Sequence, residues 1–399
     1  MQYKNNWVNY DEGVVRETEK RIKVIGIGGG GGNTVNSLYL KFKDKSKKLP
    51  MEGIDFVIMN SDHQDLLKSP VPNKIQIAKD GQGAGSNPEL GRKYAEQCAN
   101  RIKDSVSNAY LIFITAGMGG GTGTGASPVV ARLAREVNPD ALIVGVVTTP
   151  FTDQKNVRKT KIAEEGIKEL KKHVNSLLIV SNDSILKLFP NGGSYPEAMR
   201  ATDKVLMNAI SGIVGIIKNV GAQNADFRDI YTIMQDAGTD VIIGVGSASG
   251  EDRYRFALQD ALNSPLLCGR TIAGAKGLIV NFCSRKDNSD LKGVTYVMKT
   301  LHSLADPEAT YKDCTTEDEG AGDLLIITVI ATNFVDERGD LVTYMKRVAA
   351  EYGPMKPLYI LPELDASGDE KEKKENIEVP DFSIPAFMLK GDSNGSNNP

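Results

Sequence analysis

A glycine-rich stretch at residues 117–125 carries the groups best suited to chemistry in this sequence. It follows an apolar run at 110–114 that is typical of a buried parallel strand, and it precedes a helix predicted over residues 126–137. Glycine allows backbone conformations in which N–H groups surround a small anion, and the start of a helix adds partial positive charge. The order of strand, loop and helix therefore predicts a phosphate site, with a flexible glycine linker as the alternative. The predicted ligands are Gly119, Gly120, Gly121, Thr122, Gly123, Thr124 and Gly125.

Two further glycine stretches precede predicted helices. A strand is predicted over residues 21–27, and the glycines after it lead to a helix that begins at Thr34. This first unit alone could bind any nucleotide or none. Another glycine turn, at residues 81–88, precedes a helix predicted over residues 89–106. The predicted ligands are Gly29, Gly30, Gly31, Gly32 and Asn33 in the first stretch, and Gly83, Ala84 and Gly85 in the second.

Two common classes of nucleotide site are disfavoured by the residues around these loops. A Walker loop requires a lysine directly after its last glycine, and no lysine follows residues 117–125 in that place. A dinucleotide-binding unit carries an acidic residue for the ribose in its first strand–helix–strand segment, and that residue is missing here. A dinucleotide-dependent oxidoreductase is therefore a disfavoured alternative.

Polar residues follow two other predicted strands, at the place where open α/β sheets bind their ligands. Asp62 comes after the strand at 56–59, from which it could approach phosphates through Mg²⁺ or water; capping of the next helix is the alternative. Asn182 follows the strand at 176–180, and its amide can pair with the donor–acceptor edge of guanine. A long helix is predicted over residues 195–218, with its apolar residues on one face as in a core helix.

Several motifs resemble those of the tubulin/FtsZ family, and they occur in that family's order. Residues 119–125, GGGTGTG, resemble its signature loop, and residues 28–33, GGGGGN, resemble its first nucleotide loop. Residues 60–62, NSD, resemble its NTD segment. Residues 83–88, GAGSNP, differ by one serine from a family loop that senses the γ-phosphate. The resemblance covers residues 21–334.

The resemblance implies an α/β fold with a Rossmann-like parallel-sheet GTPase domain, a long connecting helix and a smaller α/β C-terminal domain. It implies GTP or GDP with Mg²⁺ as ligands, and it places Asn182 and Asp203 against the guanine base. Arg158 keeps the family's arginine near the ribose segment, whereas Gln154 stands where the family has a ribose-binding glutamate. An amide still hydrogen-bonds a ribose hydroxyl, but without the help of a charge.

Residues 224–229, NADFRD, resemble the family's synergy loop, NxDFAD. The resemblance implies that Asn224, Asp226 and Asp229 are catalytic and complete the site of the next subunit in a head-to-tail filament. Such filaments form the cytokinetic ring of prokaryotic cells, at midcell in the cytoplasm. Capping of a helix by an aspartate is the alternative for this segment.

Two departures from the family pattern leave a second function open. Gln154 replaces the ribose glutamate, and Arg228 replaces a small residue in the synergy loop, where it could pair with either aspartate. Both changes suit a filament-forming paralogue with weak GTPase activity and a cytoskeletal role outside division.

Composition limits the partners. The 399 residues carry a net charge of −3, which does not indicate nucleic-acid binding, and no apolar run is long enough to span a bilayer. The cysteines lack the spacing of a zinc site or a disulfide framework, and the first residues lack a secretory signal. The sequence therefore predicts a cytoplasmic protein with no nucleic-acid partner and no direct membrane insertion.

A polar linker near the C-terminus precedes an apolar island at residues 379–390, VPDFSIPAFMLK. Such an island is typical of a docking peptide, and it resembles the C-terminal IPAFL peptide of the family, which implies docking on a membrane-associated division adaptor. A strap packed on the body is the alternative. The predicted segments are a polar extension (1–20), a GTP-binding domain (21–194), a connecting helix (195–220), a C-terminal α/β domain (221–335), an extension and linker (336–378), the docking peptide (379–390) and a disordered tail (391–399).

Overall fold

A computed structural model describes most of the chain between residues 7 and 334. The described residues are 7–11, 14–18, 21–43, 53–151, 157–186, 189, 192–218, 227–235, 241–264, 267, 271–317 and 321–334. Near the N-terminus, β1 (Trp7–Asp11) and β2 (Val14–Thr18) pair as an antiparallel hairpin. Over the described ranges, no helix combines the length and the apolar character needed to cross a bilayer.

A parallel sheet of six strands positions the predicted ligand loops. Its strands are β3 (Arg21–Ile27), β4 (Ile54–Asn60), β5 (Asn73–Gln76), β6 (Ala109–Gly117), β7 (Leu142–Thr149) and β8 (Ser176–Ser181). Their spatial order is β5-β4-β3-β6-β7-β8. β4 and β5 are therefore added on one side of β3, whereas β6, β7 and β8 are added on its other side. The neighbours β3 and β6 form a topological switch point, and sheets of this kind bind ligands in the crevice outside the carboxyl ends of such strands.

Helices cover both faces of this sheet. They are α1 (Gly28–Lys43), α2 (His63–Lys68), α3 (Pro88–Gln97), α4 (Ala99–Val106), α5 (Thr122–Val137), α6 (Val157–Lys171), α7 (Asn182–Leu186) and α8 (Tyr195–Lys218). Alternate residues of β3 face opposite sides: Val24 packs with Leu38 of α1, whereas Ile25 packs with Val130 of α5. The strands are therefore buried on both faces, which explains their continuous apolar runs.

A second sheet of four strands follows α9 (Phe227–Met234). Its strands are β9 (Val241–Ala248), β10 (Ala275–Ser284), β11 (Thr310–Glu317) and β12 (Leu325–Phe334), in the order β11-β10-β12-β9. β10 and β11 are parallel, while β12 is antiparallel to both of its neighbours. One face packs on α10 (Arg253–Leu262) and α11 (Leu291–Leu304). The other face joins α8 and α9 in one apolar cluster that continues to the first sheet.

The structure confirms the main predicted elements. The fold is the predicted Rossmann-like parallel sheet with a long helix and a smaller second α/β unit, and α8 begins and ends at the predicted residues. The predicted helix at 89–106 is wrong in one respect, because the backbone leaves the helical region at Cys98 (φ −100°, ψ 12°) and the segment forms α3 and α4. The apolar period of the segment continues through the break, so no sequence pattern indicates where the helix is interrupted.

The predicted starts of two helices are also wrong. The helices were expected at Thr34 and at residue 126, but α1 begins at Gly28 and α5 at Thr122, so both glycine stretches contribute helical turns. Glycine has a low helix propensity, so the sequence alone indicates loops at these turns. Here glycine is needed for close contact, since a Cβ atom at Gly31 would lie 2.1 Å from the carbonyl oxygen of Thr115.

Candidate functional site

The two main glycine stretches lie side by side at the carboxyl ends of β3 and β6. Gly28 has a φ of 70° and Gly119 a φ of 99°, values in the left-handed region that favours glycine. These residues let the chain turn sharply from each strand into its helix. The starts of α1 and α5 therefore lie together at the switch point, where their first N–H groups can bind an anion.

The predicted glycine ligands fall into two groups by what a Cβ atom would meet. At Gly123 it would lie 2.5 Å from the carbonyl oxygen of Gly117, and at Gly125 it would lie 1.9 Å from that of Pro88. At Gly83, Gly85 and Gly120 it would meet no atom within 4 Å. The first group is required by packing, as is Gly31. The second group borders open space, so its backbone is accessible for close approach by a phosphate group.

The remaining glycines and small residues of these loops lie between the two extremes. A Cβ atom added at Gly29 would lie near Asp65, one at Gly30 near Gly117, and one at Gly32 near Ile58. A Cβ atom added at Gly121 would lie near Ala84 and Asn87. Gly121 and Ala84 thus join the glycine-rich stretch at residues 117–125, the central loop, to the turn at 81–88. Asn33 is an exposed residue of α1. Their roles as ligands remain predictions.

Side-chain hydrogen bonds hold three loops in one arrangement. Ser61 Oγ lies 2.5 Å from Thr122 Oγ1, and the carbonyl oxygen of Ser61 accepts a bond from the N–H of Gly83 at 3.1 Å. Thr124 is buried, and its Oγ1 accepts a bond from the N–H of Gly119 at 2.9 Å. Thr124 therefore fixes the turn of the central loop, and Ser61, which the sequence did not single out, connects the loops after β4, β5 and β6.

Asp62 caps α2. Its Oδ1 accepts bonds from the N–H groups of Gln64 at 2.8 Å and Asp65 at 3.4 Å, so the predicted capping is confirmed. The residue lies between β4 and α2, at the same edge of the sheet as the glycine loops, and it is partly exposed. Mg²⁺ usually binds one or two carboxylates together with substrate phosphates, so the residues present fit such an ion next to a bound nucleotide. This role of Asp62 remains a prediction.

The two residues predicted to contact a base lie close together. Asn182 is the first residue of α7, directly after β8, and its Oδ1 accepts a bond from Thr202 Oγ1 at 3.3 Å. Asp203 follows Thr202 on α8, and its Oδ1 accepts a bond from Thr34 Oγ1 at 3.3 Å. Burial raises the pKa of Asp203 to about 6, and the bond from Thr34 opposes that rise. Asn182 and Asp203 are therefore both held by hydrogen bonds where the end of β8 meets α8.

Arg158 lines a cavity beside the glycine loops that are predicted to bind phosphate. The cavity measures about 190 Å³, and its lining residues are Gly85, Ser86, Gly119, Arg158, Lys159 and Ile162. It lies between the turn at 81–88, the central loop and the start of α6. Arg158 and Lys159 give it two positive charges that suit an anion. Lys159 was not predicted, and Gln154 lies outside the described residues.

Asp229 lies at the opposite edge of the first sheet. Phe227, which begins the same helix, packs its ring 4.9 Å from that of Tyr110 at the amino end of β6. The central loop begins at Gly117, at the other end of that strand, roughly 23 Å away at about 3.3 Å per residue. Asp229 pairs with Lys312 of β11, whose Nζ lies 2.5 Å from its Oδ2. Asn224 and Asp226 lie outside the described residues, and Arg228 is exposed.

Comparisons with protein families agree with this arrangement. Residues 21–190 match the tubulin/FtsZ family, GTPase domain, and residues 239–335 match the FtsZ family, C-terminal domain. Among curated proteins, the cell division protein FtsZ of Buchnera aphidicola subsp. Schizaphis graminum is 37% identical over 382 residues, which is 92% of this chain and 96% of that protein. The one from subsp. Baizongia pistaciae is 39% identical over 314 residues, 78% of each chain.

Solved structures show the same fold. An FtsZ dimer from M. jannaschii has a TM-score of 0.71 and 35% identity, and the match covers 79% of this chain and 88% of that one. CetZ2 from Haloferax volcanii, solved as a GTPγS-bound protofilament, has a TM-score of 0.66 over 83% of this chain and 98% of that one. Its identity of 20% supports the fold alone.

Proposed function

Since the chain belongs to the tubulin/FtsZ family, we propose that it is a GTPase that polymerises head to tail into the filaments of a prokaryotic division ring. One observation carries the proposal. Open glycine backbone at Gly83, Gly85 and Gly120 lies at the same edge of the parallel sheet as the hydrogen-bonded side chains of Asn182 and Asp203. A guanine nucleotide would lie along that edge, with its phosphate groups at the switch point.

Each end of the nucleotide has its own set of residues. An ionised Asp203 would accept hydrogen bonds from N1–H and the 2-amino group of guanine, which adenine does not offer in this pattern. The N–H groups of the glycine turns, with Arg158, would bind the phosphates. Asp62 would hold Mg²⁺ against the phosphates, and the ion would neutralise charge on the leaving group.

The catalytic residues are proposed to act on the nucleotide of the next subunit. The position of Asp229 at the amino end of β6, with the phosphate loop at its carboxyl end, supports this arrangement. With Asn224 and Asp226, it would orient the attacking water when two subunits stack head to tail. A heterologous contact of this kind generates filaments when the rotation does not close a ring.

Turnover per molecule, measured against protein concentration, tests this proposal. A shared site requires specific GTPase activity to rise with concentration; constant activity down to the most dilute sample would contradict it. Mixing Asp229→Ala with Gly120→Trp should restore part of the activity that each variant lacks alone, because one of the mixed interfaces is intact. Asp287→Ala, at an exposed carboxylate of the second domain, is the matched control and should remain active. Filaments with very slow turnover would instead support the weakly active paralogue.

The tail at residues 379–390 is proposed to dock on a membrane-associated adaptor, which would bring cytoplasmic filaments to the division site. The segment lies outside the described residues, so its apolar sequence within a polar tail is the support for this role. Three buried apolar side chains could contribute roughly 1.5–3 kcal/mol each, before the cost of ordering the peptide.

A further inference from the structure

Thr34 joins the phosphate end of the site to its base end. The residue is fully buried on α1, and its Oγ1 lies 3.3 Å from the carbonyl oxygen of Gly30 and 3.3 Å from Asp203 Oδ1. Gly30 belongs to the first turns of α1, beside the phosphate loop, whereas Asp203 lies on α8, 169 residues further along the chain. One hydroxyl group therefore contacts both ends of the proposed nucleotide site.

The hydroxyl carries a single proton, so it donates to one of these two acceptors at a time. A carboxylate attracts the proton more strongly than a peptide carbonyl does, because hydrogen bonds to ionised acceptors are stronger. Thr34 therefore donates to Asp203 whenever that carboxyl is ionised. The bond both orients the carboxyl group and favours its charged form.

We propose, as a consequence of the function proposed above, that Thr34 is a positioning residue for base recognition, whose hydroxyl holds the Asp203 carboxylate in the form that accepts two bonds from guanine. Guanine presents two neighbouring donors, N1–H and the 2-amino group. An ionised carboxylate accepts from both, whereas a protonated carboxyl group presents a hydrogen to one of them and loses that bond. The proposal makes guanine selectivity depend on a residue that need not touch the base.

The surroundings of Asp203 leave few other groups to play this part. Burial raises its pKa to about 6, and the hydrogen bond from Thr34 is the contact that opposes the rise. Charged residues on its own helix nearby are Arg200 and Lys204. Those carried by the helices and strands packed against α8 are Lys41 and Lys43 of α1, Asp183 of α7, and Lys312, Asp313 and Glu317 of β11. Lys41 donates to Ser211 on α8, and Lys312 pairs with Asp229.

The test measures the affinities of the full chain for GTP and ITP between pH 5.5 and 8. ITP lacks the 2-amino group, so the ratio of the two affinities reports the second bond to Asp203. Thr34→Val removes the hydroxyl at nearly constant volume, and Thr34→Ser retains it. Thr300→Val is the matched control, since Thr300 is a buried helical threonine that likewise bonds the carbonyl four residues earlier, but in the second domain.

With Thr34→Val, we expect GTP affinity at pH 6 to fall about tenfold, the effect of losing a hydrogen bond to a charged group. The ratio of GTP to ITP affinity should fall as well, and the pH at which GTP binding is half lost should move upward. Thr34→Ser and Thr300→Val should resemble the wild type. Thr34→Ala repeats the measurement if the valine variant does not fold.

Equal losses for GTP and ITP in Thr34→Val, with no movement of the pH midpoint, would show a purely structural role and overturn the proposal. If the wild-type protein binds GTP and ITP equally well, the base contact of the proposed function is wrong, and both proposals are overturned. The two failures are therefore distinguished by the wild-type ratio.

Discussion

A methyl group added at Gly120 or at Gly125 tests ligand binding and packing separately. At Gly120 a Cβ atom would meet nothing within 4 Å, and the φ of this residue does not require glycine. Gly120→Ala should therefore fold normally, with a melting temperature within about 2 °C of the wild type. The methyl group would occupy space that we assign to a phosphate, so GTP affinity should fall by about tenfold or more, the cost of one charge-assisted hydrogen bond.

Gly125→Ala should have the opposite effect. Its Cβ atom would lie 1.9 Å from the carbonyl oxygen of Pro88, whereas ordinary contacts begin at 3.4 Å, so α3 and α5 would have to separate by as much as 1.5 Å. Overpacking of this kind costs about 1–3 kcal/mol. At about 2–4 °C per kcal/mol, the melting temperature should fall by roughly 2–12 °C.

Calorimetric titration with GTP and a thermal scan of the same preparations provide both measurements. If Gly120→Ala binds GTP as tightly as the wild type, no phosphate lies over that residue. If Gly120→Ala is destabilised as strongly as Gly125→Ala, the division of the glycines into open and packed groups is wrong.

The site supports three other predictions, and the C-terminal tail a fourth. Because guanine binding requires an ionised Asp203, whose pKa is about 6, GTP affinity should fall about tenfold per pH unit below that value. The Asp203→Asn variant should lose this part of the pH dependence. The Asp203→Ala variant should bind GTP about 1–3 kcal/mol more weakly than the wild type at neutral pH. The stability of the nucleotide-free protein should respond with the opposite sign, since a raised pKa favours the folded state below pH 4 and this contribution is lost as pH rises through 6. The Lys312→Gln variant removes the partner of Asp229, so the rate of GTP turnover should change while GTP affinity stays within about twofold of the wild type. An unchanged rate would show that the ion pair does not serve catalysis. Truncation after Glu372 should leave GTP binding, turnover and filaments near wild type but abolish adaptor-dependent membrane recruitment; loss of polymerisation would identify the segment as a structural strap.

The sequence predicted elements whose signals are local. The apolar stripe of α8 and the runs of β3 and β6 required no tertiary information, and they were confirmed. β11 was missed because TYKDCTTE has no apolar run and forms a strand only by pairing with β10. β5 and α6 were missed as well, since one is four residues long and the other is strongly polar.

The same limit applies to the site. Asn182 was identified by its place after a predicted strand and Asp203 through a family resemblance. Thr34 reaches Asp203 only through the packing of α1 against α8, for which no short sequence pattern exists. Ser61 and Lys159 likewise acquire their places from loops that are distant in sequence. The close contacts of Gly31 and Gly125 depend on backbone positions in other elements, so the sequence could not separate packing glycines from open ones.

The position of α8 has a consequence for the order in which the protein folds as it is synthesised. The first sheet is complete once β8 ends at Ser181, but the face that α1 covers stays partly exposed until Leu206, Ile210 and Ile213 of α8 have emerged. The opposite side of α8 is buried only after Ile279 of β10 and Ile330 of β12 have been synthesised. A nascent chain thus exposes a long apolar helix for most of the synthesis of its second half, a period in which such surfaces are prone to aggregate.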